Sequence, residues 1–290
     1  MTKLIDGSRE ALLSVRDLIR YAVSRFNEHK LFFGHGSDNA WDEAVYLVLH
    51  ALNLPPDQLE PFMDARILPS EREAALSLID LRCEQRLPAP YLTHEAWLQG
   101  YAFHVDQRVI VPRSPIAELL MNQLSPWIID PYEVTGILDL CTGSGCLAII
   151  AAHQFPEAFV DATDISNDAL DVALINVAKH DMKDRLNLHH GSLFDSLPVS
   201  AQYDLIISNP PYVNSASMLT LPPEFRHEPS LALAGGDDGM DLVRTIIEQA
   251  PAHLRDNGLL LIEIGHERSY FEAAFPDLEP VWLDTAEASD

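Results

Sequence analysis

The sequence has few cysteines, few basic residues and no long apolar run, and each shortage excludes a class of protein. Its three cysteines, Cys83, Cys141 and Cys146, form neither an even set nor a Cys-x-x-Cys pair, so we expect reduced thiols rather than disulfides or a zinc site. The twelve histidines form no ligand-spaced cluster, and no metal is expected. No segment approaches the roughly 20 apolar residues of a membrane span, and the first residues, MTKLIDGSRE, lack a secretory pattern. We therefore predict a cytoplasmic protein.

The shortage of basic residues gives the chain a strong negative charge. Lys and Arg number 19 against 44 Asp and Glu, which leaves a formal net charge of -25. Such a surface repels phosphate backbones and attracts basic partners, so direct readout of nucleic acid is not expected. An alternative interpretation of the same charge is that the acidic residues serve only to keep the protein soluble.

Residues 1–90 have helical periodicity. Two apolar faces are predicted, Val15, Leu18, Ile19, Ala22 and Phe26, then Trp41, Val45, Val48, Leu49 and Leu52. A third helix is expected to open with Ser70 and Glu73 in capping-box spacing and to bury Ala75, Leu78 and Ile79. We expect a helical domain here, followed at 91–134 by a linker whose short hairpin turns at Gln99 and Gly100.

Residues 135–290 alternate between strands and helices. Strands are predicted in TGILDL, AFVDATD, RLNLHHG, YDLIIS and GLLLIEIG. The helix after the second strand is expected to bury Leu170, Ala173, Leu174 and Val177. This alternation predicts an α/β domain with a Rossmann-like, mainly parallel sheet, whose ligands bind beyond the carboxyl ends of the strands.

The turn after the first of these strands has the composition of a cofactor loop. In DLCTGSGC, Gly143 and Gly145 permit a tight turn before the next helix. The second strand ends in Asp164, about 20 residues further on, where a carboxylate can bind both hydroxyls of a ribose. Ala148 replaces the third glycine of a dinucleotide motif, a tolerated change, and no P-loop lysine is present. The turn is compatible with S-adenosylmethionine, an adenosine without phosphates.

The segment SNPPY follows the strand YDLIIS. Its two prolines fix φ and donate no N–H, so the Pro210 carbonyl is held in a defined direction. That carbonyl and the Asn209 side-chain oxygen can accept both hydrogens of a planar NH2 group, while Tyr212 offers an aromatic face. Positioning such a nitrogen in line with a methyl sulfonium lowers the barrier by roughly 7 to 11 kcal/mol, and no strong base is required. A proline-rich turn that merely ends a strand is the competing interpretation.

The chain contains the segments PAPYL, VPRSPIAELL, DLCTGSGCLAI, ATDIS, SNPPYV and HEPSLALAGGDDGMDLVR. Together they resemble the HemK-type protein-(glutamine-N(5)) methyltransferases over nearly the whole chain. Release-factor enzymes of that family usually carry Pro-Arg-Pro-Glu-Thr in the linker, whereas VPRSPIAEL is similar to the branch that modifies the third protein of the large ribosomal subunit. The resemblance implies a class I methyltransferase fold, S-adenosylmethionine as cofactor, and a glutamine amide of that basic ribosomal protein as substrate.

The resemblance also implies roles for individual residues. The cofactor would be bound by Cys141, Thr142, Gly143, Ser144, Gly145, Asp164, Leu193, Phe194 and Asn209. The substrate amide would be held by Asn209, Pro210 and Tyr212. Phe103 and Arg113 lie at linker positions that approach the cofactor in relatives, but a core aromatic and a structural ion pair explain them equally. The helical domain would either dock the substrate or only stabilise the fold.

The end of the chain departs from the family pattern. Class I methyltransferase sheets finish with an antiparallel hairpin, whereas EPVWLDTAEASD leaves room for only its first strand. A truncation or a missing strand would expose a sheet edge, and that edge could pair with another chain. The oligomeric state therefore stays open.

Three other functions are compatible with parts of this pattern. Peptide-chain release factors are the substrates of the sister branch. Enzymes that methylate the exocyclic amine of adenine in DNA carry a similar Asn-Pro-Pro-Tyr motif, but the basic footprint of a DNA enzyme is missing here. A non-catalytic assembly factor that senses S-adenosylmethionine would keep its partner after loss of Asn209, whereas an enzyme would lose turnover.

Overall fold

The computed structural model describes residues 9–285, and the chain forms two compact units. The first unit comprises the residues up to His94 together with Pro222–His227. The second comprises Glu95–Leu221 and the residues from Glu228 onward. The chain therefore enters the first unit a second time, after the Asn-Pro-Pro-Tyr segment.

The first unit is helical. Its helices are α1 (Val15–Glu28), α2 (Ala40–Ala51), α3 (Pro69–Gln85) and α4 (Ala89–Thr93), with 3-10 turns at Arg9–Ala11, Glu60–Phe62 and Pro223–His227. Helix α1 begins at a reciprocal capping box, in which Asp17 N donates to Ser14 Oγ (3.2 Å) and Ser14 N donates to Asp17 Oδ2 (3.0 Å). All five apolar residues predicted for its inner face are buried.

The other two predicted helices differ from the structure in detail. Val48 and Leu49 are buried as predicted, but Trp41 is 46% exposed, because α2 turns Ala44 and Leu47 toward the core in its place. The predicted capping box at Ser70 and Glu73 is wrong. Helix α3 begins one residue before Ser70, at Pro69, which has no N–H group that needs a hydrogen-bond partner.

Buried charged side chains join the helices of this unit. Arg82 on α3 donates from Nε to Glu43 Oε1 on α2 (2.7 Å) and from Nη2 to the Phe32 carbonyl (2.8 Å). Glu224, from the second passage of the chain, is fully buried, accepts from Phe32 N (3.0 Å) and forms an ion pair with Arg86 (2.7 Å). Buried charges are tolerated only when paired in this way, so these contacts fix the re-entering segment within the first unit.

The second unit contains the remaining helices and all the strands of the described chain. The strands are β1 (Glu95–Leu98), β2 (Tyr101–His104), β3 (Gly136–Leu140), β4 (Phe159–Asp164), β5 (Leu186–His190), β6 (Tyr203–Ser208) and β7 (Leu254–Ile262). The helices are α5 (Ile116–Met121), α6 (Cys146–Gln154), α7 (Asn167–Lys179), α8 (Ser215–Thr220), α9 (Asp241–His253) and α10 (Arg268–Ala274). Strands β1 and β2 form an antiparallel hairpin that turns at Gln99 and Gly100, both with positive φ.

The other five strands form one parallel sheet in the order β5-β4-β3-β6-β7. Alternate residues of its strands feed two cores: Ile137 and Ile207 pack with α6, whereas Leu138 and Ile206 pack with α9. Both faces are therefore covered, which confirms the predicted α/β class. The chain runs outward from β3 to β5 and then returns to the other side of β3. This reversal opens a crevice at the carboxyl ends of β3 and β6.

Three predictions that concern this unit need correction or stay open. Ala173 and Val177 are buried as predicted, but Leu174 is 56% exposed, because α7 buries Ala169 and Val172 in its place. At the chain end, residues 279–285 form no strand, and Trp282 packs on Phe271 of α10 (5.4 Å between rings). The last five residues of the expected strand lie outside the described part of the chain. The functional division into residues 1–90, 91–134 and 135–290 also stays a prediction.

Within residues 9–285, no helix is long and apolar enough to cross a membrane. Over the same range, no three His, Cys, Asp or Glu side chains are grouped so that they could hold a metal ion.

Candidate active site

The sheet register brings the predicted functional segments to one edge. Leu140, the last residue of β3, lies opposite Thr163 of β4 and Ser208 of β6. The next residues of the two neighbouring strands are Asp164 and Asn209, and the glycine turn follows β3 itself. A carboxylate, a backbone turn and a side-chain amide therefore emerge together at the crevice.

The turn between β3 and α6 has a conformation that glycine favours. Gly143 and Gly145 have φ of 56° and 79°, and Cys141 adopts a φ of 59° although it carries a side chain. A Cβ at Gly145 would lie 3.3 Å from Ala173 Cβ, so this glycine permits close packing of α7. At Gly143 an added Cβ would meet no atom within 4 Å. Gly143 therefore leaves open space in the cavity into which it faces.

Asp164 is anchored to that turn. Its Oδ2 accepts a hydrogen bond from Gly143 N (2.9 Å) and its Oδ1 accepts one from Ser166 N (2.9 Å). Burial raises the pKa of Asp164, whereas these backbone hydrogen bonds act in the opposite direction. The two carboxylate oxygens together offer about four acceptor positions, more than the backbone donors around Asp164 use, so the group can still accept a hydrogen bond from a ligand.

One cavity contains many of these residues. Five residues predicted from the sequence line it, namely Cys141, Gly143, Asp164, Leu193 and Asn209. The other lining residues are Arg108, Val109, Ile110, Thr163, Ile165, Ser166, Ala169, Gly191, Ser192, Pro211, Pro229, Leu231, Ala232 and Leu242. The HEPSLAL segment, whose simplest interpretation from the sequence is a loop that walls the substrate channel, contributes three residues to the cavity wall.

Other predicted site residues lie behind this wall. Thr142 and Ser144 are buried in the turn, with exposed fractions of 5% and 4%. Phe194 is also buried and stacks on His253, with 4.8 Å between ring centroids and 13° between planes. These three residues shape the turn and the sheet, and they are not among the residues that line the cavity.

Asp139, in the interior of β3, was missed by the sequence interpretation. It is 1% exposed and accepts a hydrogen bond from Thr142 Oγ1 at Oδ2 (2.6 Å). Burial raises its pKa to about 7, and the nearby Asp164 raises it as well. The sequence did contain a signal for this residue, because Asp139 is an ionisable side chain within the otherwise apolar strand that leads into the glycine turn.

The Asn-Pro-Pro-Tyr segment begins at the cavity and ends in a partly buried polar contact. Asn209 lines the cavity, and Pro210 is buried beside it. The Tyr212 hydroxyl donates to Glu263 Oε1 (2.8 Å). Burial, together with the charge of Glu263, raises the pKa of Tyr212 far above its usual value, so the phenol stays protonated.

The two linker residues considered above occupy structural positions. Phe103 on β2 is fully buried in the core that includes α6. Arg113 donates from Nη1 and Nη2 to both carboxylate oxygens of Glu228 (2.6 and 2.8 Å). Glu228 also accepts from Val111 N (3.0 Å), and it therefore ties the linker to the segment that walls the cavity.

A doubly wound parallel sheet with a glycine turn, an acidic residue after the second strand and Asn-Pro-Pro-Tyr after the fourth defines a class I methyltransferase. In agreement, the family model of the methyltransferase small domain matches residues 116–225.

Full-length similarity narrows this class to one family. A ribosomal protein uL3 glutamine methyltransferase of Bordetella pertussis is 66% identical over 98% of this chain and 95% of its own length. Proteins of the same name from Burkholderia pseudomallei and Neisseria gonorrhoeae are 58% and 52% identical, over 94% and 98% of this chain and 91% and 94% of their own. The chain belongs to the family of ribosomal protein uL3 glutamine methyltransferases.

Proposed function

We propose that the protein transfers a methyl group from S-adenosylmethionine to the side-chain amide nitrogen of a glutamine in ribosomal protein uL3. The observation that carries this proposal is that Asn209 lines the same cavity as Gly143 and Asp164. An amide bound by Asn209 would therefore lie beside the cofactor. The names of the relatives, at up to 66% identity, support the same substrate.

The residues of the cavity fit S-adenosylmethionine. Asp164 offers acceptor oxygens for the two ribose hydroxyls, and Gly143 leaves space above the turn for the methionine part. Ile165, Leu193 and Leu231 give the cavity apolar surface on which an adenine can pack. When bound there, the cofactor supplies a methyl group carried by a positively charged sulfur.

The chain's own contribution to the reaction is chiefly positioning. Asn209 Oδ1 and the Pro210 carbonyl accept the two amide hydrogens, which orients the nitrogen lone pair and increases its electron density. Tyr212, kept neutral by the raised pKa of its phenol, provides an aromatic face for the planar amide. As the nitrogen–methyl bond forms and the sulfur–methyl bond breaks, the sulfur would keep the bonding electron pair, and the alkylated amide would become strongly acidic and lose its proton to water. No base of the protein is needed.

The charge of the chain fits a basic substrate. A net charge of -25 would attract a ribosomal protein that binds RNA through basic side chains. Such steering acts mainly on the association rate and weakens with salt. The same negative charge disfavours binding of the DNA backbone, and DNA is the substrate of enzymes with a similar Asn-Pro-Pro-Tyr motif.

Asp164→Asn should weaken binding of S-adenosylmethionine. The variant loses the negative charge that the ribose hydroxyls would contact, and hydrogen bonds to charged groups contribute about 1.5 to 3 kcal/mol. We expect the Kd for the cofactor to rise by about 10-fold to 100-fold, as measured by isothermal titration calorimetry. Asp184→Asn, at an exposed position before β5, is the matched control and should bind normally. An unchanged Kd in Asp164→Asn would contradict the ribose assignment.

Intact-mass spectrometry tests the proposal itself. Purified protein is incubated with S-adenosylmethionine and, in separate reactions, with uL3, a peptide-chain release factor or adenine-containing DNA. We expect one added methyl group on uL3, mapped to a glutamine by fragmentation. Methylation of the release factor would assign the protein to the sister branch, and methylated DNA would overturn the charge argument. Cofactor binding without any methylation would favour a non-catalytic assembly factor.

A further inference from the structure

Glu263 connects three parts of the second unit beside the Asn-Pro-Pro-Tyr segment. It is the first residue after β7, and its N–H donates to the carbonyl of Ser208, the last residue of β6 (3.0 Å). Each of its carboxylate oxygens accepts one hydroxyl: Tyr212 donates to Oε1 (2.8 Å) and Ser114 donates to Oε2 (2.5 Å). Hydrogen bonds to a carboxylate are stronger than those between neutral groups. Glu263 therefore fixes the direction of the Tyr212 phenol.

Three glycines enclose Tyr212 from its other sides. A Cβ at Gly265 would lie 2.5 Å from ring atom Cε2, and one at Gly239 would lie 2.1 Å from the Tyr212 carbonyl oxygen. At Gly235 the added atom would lie 2.7 Å from the Tyr212 Cα. Both the ring edge and the backbone of Tyr212 are thus packed against the main chain of glycines, which have no side chain. The hydroxyl end of the same residue is the part that Glu263 holds.

We propose that Glu263 is a positioning residue for methyl transfer, acting through the Tyr212 phenol to hold the aromatic ring against the substrate amide. The inference rests on the proposed function, which places that ring beside the amide bound by Asn209 and Pro210. Ser114 occupies the second carboxylate oxygen and keeps Glu263 from turning away. Because the rate depends on the geometry of the amide nitrogen, a ring that shifts from this position once its hydroxyl is released would slow transfer without changing the cofactor cavity.

A double-mutant cycle tests this coupling. Glu263→Ala and Tyr212→Phe should each lower kcat by about tenfold, because each removes the same charge-assisted hydrogen bond. The double variant should lose no more than either single variant. Glu263→Gln keeps an acceptor oxygen for the phenol and should recover most of the lost activity. The Kd for S-adenosylmethionine should stay unchanged in all four proteins.

Glu272→Ala, at an exposed position on α10, is the matched control and should react like the wild type. Multiplicative losses in the double variant would overturn the proposal, since the two residues would then act separately. Cofactor affinity that falls together with kcat would also overturn it, because it would indicate general damage to the unit. If Glu263→Ala does not fold, Tyr212→Phe and Ser114→Ala form the cycle instead, and the double variant should lose no more than Tyr212→Phe alone, because Ser114 would act through Glu263 and the phenol.

The wild-type reaction in the same assay separates this inference from the proposed function. If the wild type does not methylate uL3, the proposed function fails, and the positioning role is then judged on geometry alone. The crystal structure of Glu263→Ala should show the Tyr212 ring rotated from its position in the wild type. A ring that stays in place without Glu263 would overturn the inference whatever the substrate is.

Discussion

We expect Asn209→Ala to reduce kcat for methylation of uL3 by about 100-fold to 1,000-fold, the loss typical when one preorganised hydrogen-bonding group is removed from a reacting centre. The side chain lies at the carboxyl end of β6, where the register of the sheet places it level with the cofactor turn. In the proposed site, alanine would leave the Pro210 carbonyl as the single remaining acceptor for the amide. The substrate nitrogen can then rotate about that one contact and loses its alignment.

Single-turnover kinetics with uL3 and excess S-adenosylmethionine measure this loss. Asn187→Ala, at an exposed position on β5, removes an identical side chain far along the sheet edge and should leave the rate unchanged. Because Asn209 also lines the cofactor cavity, the cofactor Kd is measured in parallel, and saturating cofactor isolates the effect on the chemical step. A variant that still transfers methyl groups at more than about a tenth of the wild-type rate would contradict the proposed amide grip.

Much of the fold follows from patterns that are local in sequence. The strand YDLIIS coincides with β6 (Tyr203–Ser208), β3, β4 and β5 fall within their predicted segments, and β7 overlaps GLLLIEIG but begins earlier, at Leu254. The errors concern which side of a helix faces inward. Trp41 and Leu174 have the right spacing for buried faces, but both are exposed because smaller residues one or more positions away fit the close contacts better. That choice depends on the neighbouring elements, which periodicity alone does not describe.

The site could be predicted where one short segment carries the chemistry. The glycine turn, Asp164 and Asn209 each end a strand, so parallel pairing brings them together without further information. Residues that act through tertiary contacts were not found in the same way. Glu228 and Glu263 pair with Arg113 and Tyr212 across more than 50 positions of sequence. A carboxylate at the end of an apolar strand, as in GLLLIEIG, was the one local signal for Glu263.

Asp139→Asn changes the dependence of stability on pH. In the folded protein burial raises the pKa of Asp139 from 3.8 to about 7, whereas in the unfolded chain the group titrates near its ordinary value. Between these two values the folded state holds a proton that the unfolded state has lost. The stability that this group contributes is therefore fully present below about pH 4, falls as the pH rises, and is lost above about pH 7. The whole change corresponds to roughly 4 kcal/mol.

Asparagine cannot ionise, so the variant should not show this fall in stability with rising pH. We expect the free energy of unfolding of Asp139→Asn, relative to wild type, to rise by about 2 kcal/mol between pH 5.5 and pH 8, as measured by urea unfolding. Thr142→Val provides a matched test of the cause. The Thr142 hydroxyl stabilises the ionised carboxylate of Asp139 and lowers its pKa, so without it the fall in stability should extend to higher pH. Carboxyl carbon NMR of the wild type measures the titration directly, and a value near 4 would contradict the effect of burial.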